Sequence, residues 1–349
     1  MSNKTWNGSS STDWNTDANW TPSGVPTTGN HIIIPDTSSI NNCAIDQNRT
    51  IKSLTIQANG TIVGGGFKLF ITSEGDASLG TEHYAVKNDG IISGSLDLEF
   101  TYNAETAADF TGSSGNFRYV TVNHADADVN QVGATTFTSL FINAGEYDAG
   151  NDGLTVNEQT VLNGGSAGNE VARLQLNGST VTLGAASYTA DAGLQVSSGG
   201  GVYATTASTV TMSSLDVNYD GSNELRLLGT NTITSFDNTT SRICKLTTGV
   251  IDTETGDTTN LTVTTATSGK KISIFDVDFG TLTLNPASAT SYVLENSSGM
   301  ALTNLTINAN ATLDTTSSNH PLTISGNTVV SGTLTGNDST LIFGTSGVH

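Results

Sequence analysis

A four-residue phrase recurs along the chain: a small polar residue, Leu, any residue, then Ile or Val. Copies stand at Ser53-Leu54-Thr55-Ile56, Ser139-Leu140-Phe141-Ile142, Ser214-Leu215-Asp216-Val217, Asn260-Leu261-Thr262-Val263 and Asn304-Leu305-Thr306-Ile307. On a strand, residues two apart point to the same side. Leu and Ile/Val therefore share the core face, and the residue between them faces water. The later copies are about 45 residues apart and the earlier ones roughly 75 to 85. Secondary phrases fill the intervals, among them Leu174-Gln175-Leu176, Val181-Thr182-Leu183, Leu282-Thr283-Leu284 and Leu322-Thr323-Ile324. Strand–turn units recurring on this scale predict stacked coils rather than a conventional core.

Composition agrees. Charged residues make up 13% of the 349, about half the usual share, and Ser, Thr, Asn and Gly take their place. Few Lys, Arg or Glu are present to favour helices, whereas Thr and Val suit a pleated surface. Asn and Gly follow many strand-like runs, as in Asn59-Gly60, Asn143-Ala144-Gly145, Asn163-Gly164-Gly165 and Asn177-Gly178. These residues tolerate the left-handed backbone of a tight corner. Asn-Gly also marks hairpins, so an antiparallel sandwich array is the rival architecture. The irregular length of many turns favours coil corners. The expected fold is all-β: a right-handed parallel β-helix (β-solenoid), with one short helical insert at Asn103–Asp109.

The first 35 residues read differently. They hold all three tryptophans, Trp6, Trp14 and Trp20, with Pro22 and Pro26, ahead of the strand-like His31-Ile32-Ile33-Ile34-Pro35. A solenoid needs its open end covered, and three large rings on a turn-rich segment would form such an N-terminal aromatic cap. The competing reading of Trp6, Trp14 and Trp20 is a carbohydrate-binding platform. The division is thus 1–35 as cap and 36–349 as one continuous β-solenoid.

Thr5-Trp6-Asn7-Gly8, followed by Asp13-Trp14-Asn15, Asn19-Trp20 and Val25-Pro26, resembles the opening of repetitive β-solenoid surface proteins. The likeness is to bacterial adhesins, autotransporter-like passengers and structural proteins of marine phages. It covers about a tenth of the chain, and the Leu-x-Ile phrases extend it loosely over the rest. It implies a surface or virion setting and no particular activity.

The net charge of −20, with 12 Lys and Arg, repels phosphate backbones and anionic membranes and argues against nucleic-acid partners. Apolar runs such as Ile32-Ile33-Ile34 are too short to cross a bilayer. Met1–Trp6 lacks the apolar core of a secretory signal. Either a signal has been removed, or the protein is made and assembled in the cytoplasm, as a phage virion protein is. Cys43 and Cys244, separated by many coils, are expected to be reduced and buried.

Asp97 with Glu99, and Asp276 with Asp278, alternate with apolar residues, and paired carboxylates can serve glycoside hydrolysis. The plainer reading is that these acids face water. His31, His83, His124, His320 and His349 show no metal spacing, and no Gly-x-Ser-x-Gly motif occurs. No catalytic residue is assigned. Oxygen ligands on tight loops single out Asp148, Asn151 and Asp152, and Asp220 and Glu224, as calcium candidates, since a hard cation takes oxygen donors.

The expected function is that of a non-enzymatic structural protein of a phage virion, as a fibre, spike or surface appendage. Its partners would be other virion or surface proteins and further copies of itself, in a homo-oligomer such as a trimer. A cell-surface glycan is the expected receptor class. The alternatives are a bacterial cell-surface adhesin fragment, outside the cell, and a polysaccharide-active enzyme on the same scaffold.

Overall fold

The computed structural model describes residues 2–73, 75, 84–102, 108–111, 117–164, 172–184, 193–197, 200–203, 207–217, 224–227, 229–234, 242–246, 259–274, 279–295, 299–315, 319–336 and 338–344. Their regular structure is β-strand, with one 3-10 turn at Asp17–Asn19. The contacts divide the chain into two compact units: Met1–Val156 with Val171–Gln175, and Asn157–Glu170 with Leu176–His349.

Besides the parallel pair Thr135–Phe137 with Leu154–Val156, the described residues of the first unit form three parallel ladders. One links Ser2–Trp6, Asn30–Ile34, Ser53–Ile56, Tyr84–Asn88 and Ala108–Thr111. A second links Arg49–Ile51, Lys68–Ile71, Leu96–Phe100 and Phe117–Gln131. The third is short: Cys43–Ala44, Thr61–Val63 and Ile91–Ser93. The long strands Phe117–Gln131 and Ser139–Asp148 serve the first two ladders at once, through a register break between Asn123 and Asp128. Gly145 stands at that break with φ +89°; a Cβ there would lie 2.4 Å from the His124 carbonyl oxygen and 2.5 Å from that of Ala127. Both the backbone angle and the space require glycine.

The second unit repeats the scheme. One ladder links Gly193–Ser197, Leu215–Val217, Arg242–Leu246, Lys270–Ile274, Thr290–Leu294, Ala311–Asp314 and Thr333–Thr335. Another links Thr180–Leu183, Ser208–Met212, Gly229–Ile233, Leu261–Val263, Thr281–Leu284, Asn304–Ile307 and Thr328–Val330. Met300–Leu302, Leu322–Ile324 and Leu341–Phe343 form a shorter one.

Register aligns like with like along each ladder. Leu194, Leu215, Cys244, Ile272 and Leu294 are successive partners, as are Leu183, Met212, Ile233, Val263, Leu284 and Ile307. All of these are buried, and each such side chain contributes roughly 1.5–3 kcal/mol by leaving water. The recurrent phrases fall on these rows: Leu54/Ile56, Leu140/Ile142, Leu215/Val217, Leu261/Val263 and Leu305/Ile307 are all buried, and the residue between each pair is partly exposed. Cys43 and Cys244 are both free and buried, and burial pushes both thiols well above their ordinary pKa.

Asparagines beside the strand ends form polar ladders of their own. The Asn260 carboxamide oxygen accepts from the Thr281 amide at 2.8 Å, that of Asn304 from the Asn327 amide at 2.9 Å, and Asn308 donates to Asn285 at 2.9 Å. Asn59 and Asn177 adopt the left-handed backbone (φ 60° and 35°) expected of corner residues.

The rival architecture is excluded and one expectation is corrected. The antiparallel array fails because the strands pair in parallel with partners some twenty to thirty residues further along the chain. Among the described residues the antiparallel exception is Ser2–Trp6 with Trp20–Thr21. The helical insert fails where it can be seen, since Ala108 and Asp109 lie in a strand that pairs with Tyr84–Asn88 and Phe117–Gln131. There, ladder pairing outweighs the helix propensity of an Ala/Glu-rich run. Residues 103–107 lie outside the described residues.

Candidate functional site

Trp6, Trp14 and Trp20 form one cluster. Trp20 meets Trp6 edge-on with ring centroids 5.0 Å apart, and Trp14 at 4.7 Å. Local hydrogen bonds fix two of the rings: Trp6 Nε1 donates to the Asn41 carbonyl at 2.6 Å, and Trp20 Nε1 to the Trp14 carbonyl at 2.8 Å. The Arg49 guanidinium stands 5.9 Å from the Trp14 ring centre. All three side chains are at most 1% exposed. A sugar platform needs open ring faces, and none is available here, so that reading of Trp6, Trp14 and Trp20 is corrected. Their large surfaces contribute more by packing against one another than they would in water.

The calcium candidates do not converge. Asp148 accepts from the Gly150 amide at 2.7 Å, closing its own turn, whereas Asp152 accepts from the Gly133 amide at 2.7 Å. Asn151 is exposed. Glu224 opens the strand Glu224–Arg226, paired with Gly200–Tyr203. Asp220 lies outside the described residues. Among the described residues, no three His, Cys, Asp or Glu side chains gather as a metal site would need.

Asp97 and Glu99 do lie side by side on the outer face of Leu96–Phe100, while Leu96, Leu98 and Phe100 are buried. Both acids are engaged. Arg118 grips Asp97 with two parallel bonds, Nε at 2.9 Å and Nη2 at 2.8 Å, the strong bidentate geometry of a guanidinium and a carboxylate. Lys68 meets Glu99 at 2.6 Å, and Asn123 donates to its other oxygen at 2.8 Å. The arrangement follows from register: Lys68 is paired with Asp97 across the ladder, and a bulge sets Arg118 and Tyr119 together beside it. Asp276 and Asp278 lie outside the described residues.

A second carboxylate group has no counterpart in any local spacing. Asp128 pairs in register with Glu146 and Glu146 with Arg173, while Asp148 sits two residues further along the same strand. Partial burial raises the Asp128 pKa, and Asp148 adds to the effect. Glu146 is raised chiefly by burial and then by Asp128, against the opposing pull of a Gln175 hydrogen bond and Arg173. These are acids that hold protons more firmly than usual, the state a general acid requires. Eighteen residues separate Asp128 from Glu146, so ladder register alone brings them together.

Residues 5–92, about a quarter of the chain, match the family model described as a domain of unknown function (DUF8693). That stretch spans the tryptophan cluster and the strands from Asn30–Ile34 to the start of Ile91–Ser93. No curated protein and no solved structure matches the chain.

Proposed function

We propose that the parallel ladders close into a right-handed β-solenoid with the tryptophan cluster as its cap. We further propose that the chain serves as a non-enzymatic structural component of a phage virion, as a fibre, spike or surface appendage. The in-register rows carry the reading. Each strand pairs with one about a coil further on, and apolar residues stack on apolar residues through successive rungs. Parallel crossovers are right-handed in about 98% of cases. Such stacks gain stiffness from nearest-neighbour contacts, the property a shaft or spacer needs. The resemblance of the Trp-rich opening to surface and virion proteins points the same way, as does a dispersed acidic surface that discourages edge-to-edge association.

The setting is tested by immunogold labelling. Antibodies against the full chain should decorate intact phage particles. Decoration of a bacterial envelope instead would favour the adhesin alternative, and absence from both would sink the structural reading. The self-assembly expected of such a component is a homotrimer, with a light-scattering mass three times the 36.0 kDa chain; a monomer at working concentration removes that part. A crystal or cryo-EM structure with open, unclosed sheets would overturn the solenoid.

The register pairing that sets the partly buried Asp128 beside Glu146 favours one second reading, polysaccharide hydrolysis by paired carboxyl groups on the same scaffold. Release of oligosaccharides from a panel of neutral and acidic polysaccharides, abolished by Glu146→Gln, would establish it in place of the first.

A further inference from the structure

The second unit carries a feature that its scaffold role leaves unused. Thr182, Thr211, Thr232, Thr262, Thr283 and Thr306 are consecutive register partners on one ladder. Each is partly exposed and flanked along its strand by buried residues, so the six form one outward row. Two residues earlier on the strands runs a second row, in which Thr180, Thr209 and Thr230 are partners and Thr281 pairs with Asn304. Parallel-sheet geometry spaces the rungs about 4.8 Å apart and the two rows about 6.6 Å apart. The result is a two-dimensional array in which the first row is threonine throughout and the second is threonine with Asn304 in it; the threonines have branched side chains with little χ1 freedom.

An independent observation concerns charge. The seven strands of this ladder contain no Asp, Glu, Lys or Arg, in a chain of net charge −20. The other long ladder of the same unit carries Asp216, Lys245, Lys271 and Asp314. These seven strands also lack aromatic residues. Without cations the face offers nothing to a polyanion. Without Trp, Tyr or Arg it lacks the anchors that dominate protein interfaces. Without exposed rings it has no platform for a pyranose.

A neutral array of alternating hydroxyl and methyl groups, repeating in two directions on a hydrogen-bonded backbone, matches a partner that is itself a lattice of hydroxyl groups. The two repeats are of the same order as oxygen spacings on the faces of ice. We propose that this threonine face binds ice. The methyl groups hold ordered water between the rungs and the hydroxyls anchor it by hydrogen bonds. The ordered layer then joins the crystal face, and the bound protein pins its growth front.

The test uses the full chain, with Thr232→Tyr and Thr262→Tyr to interrupt the middle of the row and Asp216→Asn on the other ladder as control. The wild type and the Asp216→Asn variant should depress the freezing point below the melting point and enter a slowly grown ice hemisphere. The tyrosine variants, with unchanged circular dichroism, should lose both properties. The proposal is overturned if the wild type is excluded from ice as an unrelated soluble protein is, or if the folded tyrosine variants bind ice equally well. It is also overturned if those variants merely convert an oligomer to a monomer in sedimentation, which would make the face a contact between copies. None of these outcomes depends on where the protein resides, so the virion reading stands or falls separately.

Discussion

Asp97 shows how an outward carboxylate becomes structural. It is 6% exposed although it faces away from the core, because the Arg118 side chain lies over it and supplies two hydrogen bonds. Removing Arg118 as alanine would uncover the carboxylate to water and take away both charged bonds, leaving the long backbone contact from the Tyr119 amide at 3.4 Å. The expected cost is about 1 kcal/mol, the upper range for a solvent-facing ion pair with bidentate geometry, and urea denaturation should show it. The double variant with Asp97→Asn should recover part of the loss, because no charge is then stranded; a double variant that loses the sum of both single effects would refute the coupling. The tryptophan cluster makes a larger demand. Trp20 contacts both other rings and is 1% exposed, so Trp20→Ala opens a cavity between them. It should cost about 3–5 kcal/mol, the usual price of deleting a buried aromatic. A change under about 1 kcal/mol would mean the rings contribute little to the stability of this region.

At the level of strands, the sequence reveals direction and face but not neighbours. The Leu-x-Ile phrases could be read because strand periodicity is two, and every copy buries the residues assigned to the core. Asn59 and Asn177 could be read as corners because few other residues adopt their backbone. Which strands lie side by side depends on the chain length between paired positions, and that varies: Thr211 to Thr232 is 21 residues and Thr232 to Thr262 is 30. Single threonines were therefore visible and their row was not. The same holds for Asp128 and Glu146, aligned only after a register break, whereas Asp97 and Glu99 were visible because two strand positions separate them. The aligned pair has a pH signature. Both folded-state pKa values are raised, so the native state binds more protons than the unfolded chain, and its stability falls as pH rises from the ordinary carboxylate range through the raised values. Glu146→Gln removes that penalty. It should raise the melting temperature at pH 7 and change it little at pH 3, where both forms are neutral; an equal rise at both pH values would show a packing effect instead.

For the whole molecule, charge is the dominant long-range term. There are 32 acids against 12 Lys and Arg. Cations meet acids on the described surface, as in Arg49–Asp46, Lys68–Glu99, Lys87–Asp89, Arg118–Asp97 and Lys271–Glu295. Such pairs offset local repulsion but leave most of the −20 in place, and self-repulsion opposes the compact state. Raising sodium chloride from about 10 mM to about 0.3 M shortens the screening length from roughly 30 Å to under 8 Å. The melting temperature should therefore rise with salt, and solubility should be lowest near the pI of about 4.2. The same titration separates general screening from a calcium site. Asp148 and Asp152 spend oxygens on different backbone amides, so calcium and magnesium chloride at equal ionic strength should stabilise the chain alike. A calcium-specific rise, reversed by a chelator and absent in Asp148→Asn, would show that those loops rearrange around a cation and would restore the site to the list of functional features.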